Sequence, residues 1–93
     1  MGLKKRMIIT SGFNVYPQEG ETLLKLHPAV KVAMVMGEPN LLRGEIVKAK
    51  IVRNPDMSVE ERDITRHCRI YLSSYKVPRE VEFVESLDAQ GSS

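Results

Sequence analysis

The sequence predicts a small α+β domain in the order ββ-α-β-β-α-β, with helices packed on one small mixed sheet. Three observations predict it. Residues 29–36 and 45–53 alternate apolar and polar side chains with the period of a strand. Residues 17–26 and 59–75 instead space their apolar side chains as a helix does. The 93 residues are 42% hydrophobic and 28% charged, which is globular composition at the size of one domain.

Each element has a local reason. Met7-Ile8-Ile9-Thr10 and Phe13-Asn14-Val15-Tyr16 are extended runs around Ser11-Gly12, a hairpin signal. Pro17 suits the first turn of a helix, where its missing N–H costs nothing. Leu23, Leu24 and Leu26 supply that helix's apolar face, and His27-Pro28 ends it. Val30, Val32, Met34 and Met36 share one face of the next strand, with Lys31, Ala33 and Val35 on the other; one face is expected to be well buried. Gly37-Glu38-Pro39-Asn40 has turn chemistry, followed by Leu41-Leu42-Arg43-Gly44 as a loop or a single helical turn. Val47, Ala49 and Ile51 then point inward and Lys48 and Lys50 outward, up to a turn at Asn54-Pro55-Asp56.

Ser58-Val59-Glu60-Glu61 reads as a capping box for the second helix. Ile64, Cys68, Tyr71, Leu72 and Tyr75 mark its apolar stripe, and Lys76-Val77-Pro78 breaks it. Val81 and Phe83, with Leu87 as a further candidate, alternate as a last strand. Residues 88–93 are small and polar and are expected to be a disordered tail to a single domain spanning 1–93.

Composition excludes several classes. The longest apolar run, Ala33 to Met36, is far short of the ~20 residues that span a bilayer. The basic start, residues 3–6, leads into only three apolar residues, so no secretory leader is expected. One cysteine, Cys68, excludes an internal disulfide and a cysteine-rich zinc site, and makes the cytoplasm the expected compartment. The net charge of +2 suits a small anionic ligand without requiring one. Aromatics are 5% and no basic stripe is evident along the chain, so nucleic acid is not an expected partner.

Few single residues suggest chemistry. His27 and His67 lack metal-ligand spacing, and no metal site is expected. Cys68 falls on the apolar stripe and reads as a buried structural thiol. Lys48 and Lys50 read first as a solvated sheet face, although they could grip phosphate. Two glycine segments say more. Gly12, at the hairpin tip, permits close backbone approach, and an open strand edge there suits an extended amide-bearing molecule. Arg43 precedes Gly44 on a loop, where a planar guanidinium suits phosphate.

As a string, residues 4–19, Lys-Lys-Arg-Met-Ile-Ile-Thr-Ser-Gly-Phe-Asn-Val-Tyr-Pro-Gln-Glu, resemble the signature that opens the small C-terminal domain of acyl-CoA synthetases. These belong to the adenylate-forming superfamily. The match continues in order through Leu26-His27-Pro28-Ala29-Val30, residues 37–45, Val47-Lys48-Ala49, Tyr75-Lys76-Val77-Pro78-Arg79 and Val81-Glu82-Phe83-Val84. Its flavour is that of the fatty-acyl ligases.

The resemblance implies a two-step ligase. A carboxylate and Mg-ATP give an acyl-adenylate and pyrophosphate; the small domain rotates on the large N-terminal adenylating domain; CoA then takes the acyl group and AMP leaves. By position Lys5 is implied as the hinge, and Thr10, Ser11, Gly12, Phe13 and Asn14 as the loop lining the pantetheine tunnel. Arg43 and Lys48 are implied contacts to the CoA phosphates.

Three departures accompany it. Leu3 stands where an arginine is usual, and Gly20 replaces a β-branched residue, which is expected to weaken the first helix. After Leu87 the family runs Pro, four residues, Gly, Lys; here Asp88 takes the Pro position and no lysine follows Lys76. The expectation is a fragment, excised or a natural remnant, that lacks the adenylation lysine. It would be inactive alone, hold no cofactor by itself, and self-associate through its uncovered face. The alternative is an orphan module that binds CoA-like anions or a protein partner.

Overall fold

The computed structural model describes residues 7–86. Lys5, Leu87 and the tail 88–93 therefore lie outside the described residues. The elements follow the predicted order: β1 (Ile8–Thr10), β2 (Phe13–Val15), α1 (Pro17–Lys25), β3 (Val30–Asn40), β4 (Gly44–Arg53), α2 (Glu61–Tyr71) and β5 (Glu80–Phe83). A 3-10 turn, Ser74–Lys76, precedes β5.

Strand β4 is the centre of a five-stranded mixed sheet. Antiparallel β3 follows it from Val30↔Arg53 to Asn40↔Gly44. On the other edge β1 meets it at Thr10↔Gly44, and β5 runs parallel to it from Lys48↔Glu80 to Ile51↔Phe83. Both helices cover one face of the sheet, over a core that includes Ile8, Leu24, Val35, Val47, Ile51 and Ile64. Leu24, Ile51 and Ile64 are fully buried, each worth about 1.5–3 kcal/mol of apolar transfer.

Edge groups are satisfied by side chains. The Val35 N–H on edge strand β3 donates to Glu21 Oε2 of α1 at 2.8 Å. Asn54 Nδ2 donates to the Pro28 carbonyl at 2.8 Å, which ties the end of β4 to the start of β3.

Four expectations are corrected. The register shifts between Val30 and Val32, so that Lys31 is an extra residue on β3. This β-bulge reverses the alternation. Past it Ala33 and Val35 face the helices, while Val32 is 38% exposed on the opposite face. Second, residues 37–40 continue β3 instead of turning. Asn40 starts the turn: its Oδ1 accepts the N–H groups of Leu42 and Arg43, each at 3.0 Å. Pro39 is tolerated because β3 is an edge strand.

Third, the capping box is formed by Glu60 and Asp63, not Ser58 and Glu61. The Glu60 N–H donates to Asp63 Oδ2 at 2.9 Å. This register makes Val59 and Ile64 the residues on either side of the cap, both buried in the core, as in a hydrophobic staple. Starting at Ser58 would put Met57 and Arg62 in those places.

Fourth, α2 ends at Tyr71, which is 67% exposed, and Tyr75 belongs to the 3-10 turn. Gly20, expected only to weaken α1, has a packing reason. A Cβ there would lie 3.3 Å from Val35 Cγ2, so the glycine lets α1 approach β3 closely.

Candidate functional site

The hairpin tip is built from two residues with positive φ, Ser11 at 52° and Gly12 at 84°, between the pair Thr10↔Phe13. This is the type I′ geometry whose twist matches the flanking strands. Serine in that region costs about 1–2 kcal/mol. Contacts to the β3–β4 turn offset the cost. The Ser11 N–H donates to the Arg43 carbonyl at 2.8 Å, and Arg43 Nη1 donates to Ser11 Oγ at 3.1 Å. Gly44, at φ 83°, lies under the Ile9 carbonyl, which is 3.6 Å from where a Cβ would be. Thr10, Ser11, Gly12 and Arg43 are thus gathered at one end of the sheet.

A second support reaches the hairpin from the far end of the chain. The Phe13 and Tyr75 rings stack with centroids 4.4 Å apart, and Phe13 keeps 50% of its surface open. The neighbouring Lys76 pairs with Glu19 of α1 at 3.0 Å. The hairpin therefore rests on the 3-10 turn, which is anchored to the first helix. Asn14 is exposed beside Phe13, and β2 pairs only with β1 among the described residues. One edge of the sheet is open there.

Lys48 stands apart from this cluster. It lies four positions along β4 from Gly44, and its Nζ is 3.2 Å from Glu82 and 3.6 Å from Glu38. The hydrogen bond to Glu82 holds its pKa above the ordinary lysine value. Glu80, on the same stretch of β5, is raised from the ordinary glutamate value by a hydrogen bond with Glu38. To meet a phosphate, Lys48 must give up a carboxylate.

The histidines and the cysteine have structural placements. His27 and His67 meet edge to face, with centroids 5.1 Å apart, between the two helices. His27 Nδ1 accepts the Ala29 N–H at 3.1 Å, and His67 Nε2 lies 3.0 Å from the Leu23 carbonyl. Cys68 is fully buried, and burial pushes its thiol up to about 11. Among the described residues no group of three acids, histidines or cysteines is placed to hold a metal. No helix among them is long and apolar enough to cross a membrane.

Two features escaped the reading of the sequence. Glu45 Oε1 accepts the Ile9 N–H at 2.9 Å, which couples β4 to β1 just behind the hairpin. The Arg43-Gly44-Glu45 string was the available signal, but only the register shows the reach of the acid. The other is a groove along α2 lined by Arg62, Arg66, Arg69 and Arg79.

The chain is a small α+β domain whose hairpin tip is held by an arginine turn at one end of the sheet. The chain belongs to the AMP-binding enzyme C-terminal domain family, whose profile matches residues 19–93. It is 49% identical over 84 residues to a long-chain-fatty-acid–CoA ligase of Yersinia pestis, covering 90% of this chain and 15% of the relative. A ligase of the same name from Haemophilus influenzae is 43% identical, with 90% and 15% covered. Among solved structures it is similar to a fatty acyl CoA synthetase of Mycobacterium tuberculosis. That likeness has a TM-score of 0.81 and 39% identity, over 86% of this chain and 16% of the other. ATP-bound MatB from Rhodopseudomonas palustris superposes with a TM-score of 0.87 at 36% identity, over 90% and 17% of the two chains. The chain thus spans about a sixth of the length of these proteins.

Proposed function

We propose that this chain works as the CoA-facing lid of a fatty-acyl-CoA ligase. That ligase would convert a carboxylate, Mg-ATP and CoA into acyl-CoA, AMP and pyrophosphate. The large adenylating domain is the partner, and Lys5 is the hinge on which the lid turns. Thr10 to Asn14 line the path of the pantetheine arm, whose amides suit the open edge of β2. Arg43 offers its guanidinium to the CoA phosphates. Lys48 adds a second cation by exchanging Glu82 for phosphate.

The observation that carries this reading is the pre-formed hairpin tip. Ser11 is held by Arg43, and Phe13 by Tyr75, through contacts within the domain itself. A finger that enters a channel next to a reacting group needs such preorganisation, since ordering it on binding would subtract from affinity. The fatty-acyl substrate class is supported by the names of the Yersinia and Haemophilus relatives.

The test is complementation in trans. The large domain of a related fatty-acyl ligase is mixed with this chain, CoA and preformed acyl-adenylate, and separately with ATP and free fatty acid. Thioester formed from the adenylate, and lost in Phe13→Ala, is the expected result. No stimulation by the chain from either starting material would overturn the reading.

A further inference from the structure

Leu41 and Leu42 form the turn between β3 and β4 together with Arg43, and both are fully exposed. The next most exposed large apolar side chain among the described residues is Leu26, at 71%. Turn geometry does not demand leucine, since such positions favour Gly, Pro, Asn, Asp and Ser. A single apolar side chain on a surface is ordinary. Two adjacent ones standing wholly in water mark a contact that this domain does not make by itself.

The pair is held rigidly. Asn40 Oδ1 accepts the N–H groups of Leu42 and Arg43, each at 3.0 Å, and Gly44 closes the turn at φ 83°. The two Arg43–Ser11 hydrogen bonds brace this turn against the β1–β2 hairpin, so that the two tips form one body. Half-exposed Phe13 stands on the neighbouring tip. Residues 9–14 and 39–44 carry one charge between them, Arg43. This end of the sheet can therefore be dried with little loss of ion hydration.

Size selects the occupant. Two leucines hide on the order of 200 Å² of apolar surface, against roughly 1,200–2,000 Å² in a free-standing complex. That is too little to recruit a second copy of the chain or any other separate molecule. It is enough to orient a domain tethered nearby, where the effective concentration is about millimolar. The stretch matched in the Yersinia ligase is 15% of that protein, so a much larger tethered body is at hand there.

We propose that Leu41 and Leu42 seat in an apolar recess of the large adenylating domain as the hairpin enters its channel, fixing the depth and angle of entry. This rests on the lid reading above. The leucines are positioning residues: they touch neither CoA nor the acyl group, and they act through the hairpin that Arg43 braces.

The experiment varies the concentration of the full chain against a fixed amount of the large domain, with CoA and preformed acyl-adenylate. Without a tether, the contact is read directly as the amount of chain needed. Leu41→Ser/Leu42→Ser should raise the half-saturating concentration by about tenfold or more and leave the plateau rate unaltered. Leu41→Met/Leu42→Met should keep the original midpoint, and thermal unfolding should be the same in all three chains. An unchanged midpoint in the serine variant would overturn the anchor, as would a fall in the plateau alone. Two other occupants are tested on the chain by itself. A dimer in sedimentation that the serine variant disperses would reassign the leucines to a second copy and overturn the proposal. Flotation with phosphatidylglycerol vesicles that the serine variant loses would do the same in favour of a lipid surface. Failure of the lid reading looks different: the unsubstituted chain then gives no thioester at any concentration, and the anchor falls with it.

Discussion

Gly37 lies directly beneath the Glu45 carboxylate, and a Cβ at that glycine would meet Glu45 Oε2 at 3.0 Å. The same carboxylate accepts the Ile9 N–H from β1. A missing side chain on β3 thus makes room for an acid on β4 that positions a third strand.

The relationship predicts a coupling. Gly37→Ala should push the Glu45 carboxylate off Ile9 and cost about 1 kcal/mol, the net worth of one such hydrogen bond. In a Glu45→Ala background the same substitution should cost nothing. Urea unfolding of the two single variants and the double variant checks this, with an interaction term of about 1 kcal/mol expected.

The hairpin turn gives a second expectation. Gly12 has φ 84° and nothing within 4 Å of an added Cβ, so Gly12→Ala isolates backbone strain. It should destabilise by about 1–2 kcal/mol. Ser11→Asn, which favours the left-handed region at φ 52°, should stabilise by a few tenths of a kcal/mol even though it gives up the Arg43 contact. Thermal unfolding of both variants would show opposite shifts.

His27 predicts a pH dependence. Partial burial lowers its pKa from the ordinary 6.5; the neighbouring His67 adds to this and Asp63 opposes it. The unfolded chain then takes up a proton at higher pH than the folded one, so stability falls as pH drops through the ordinary imidazole range. Protonation also removes the lone pair that accepts the Ala29 N–H. The urea midpoint should fall between pH 7 and pH 5, and His27→Asn should shrink that fall.

Cys68 should be inert. With its thiol pushed up to about 11, roughly a thousandth of it is thiolate at pH 8. A thiol reagent should leave the native chain unlabelled for hours and label it at once in denaturant. Prompt native labelling would contradict the burial of α2.

The element order was legible because alternation, Pro17, His27-Pro28 and the glycine hairpin are local signals. The site was less so. Lys48 reads as a free cation in the sequence, yet Glu38 and Glu82 reach it from strands 10 positions before and 34 after. Such cross-strand pairing has no local trace. The capping box illustrates a closer contest. Ser58 is the better capping residue by type, but the core position of Val59 and Ile64 favours Glu60. Tertiary packing chose between two boxes that the string offered together. On β3 the alternation was real but its phase was not, since one extra residue at Lys31 is invisible to a periodicity count.

That extra residue is a spacer. The ladder steps from Val30↔Arg53 to Val32↔Val52 around Lys31, so deleting it would leave Val30, Ala33 and Val35 facing the helices and only straighten the strand. Lys31 is a spare bead on the string: taking it out changes none of the beads that face inward, while its presence hides the inward set from a count of alternate positions begun at Val30.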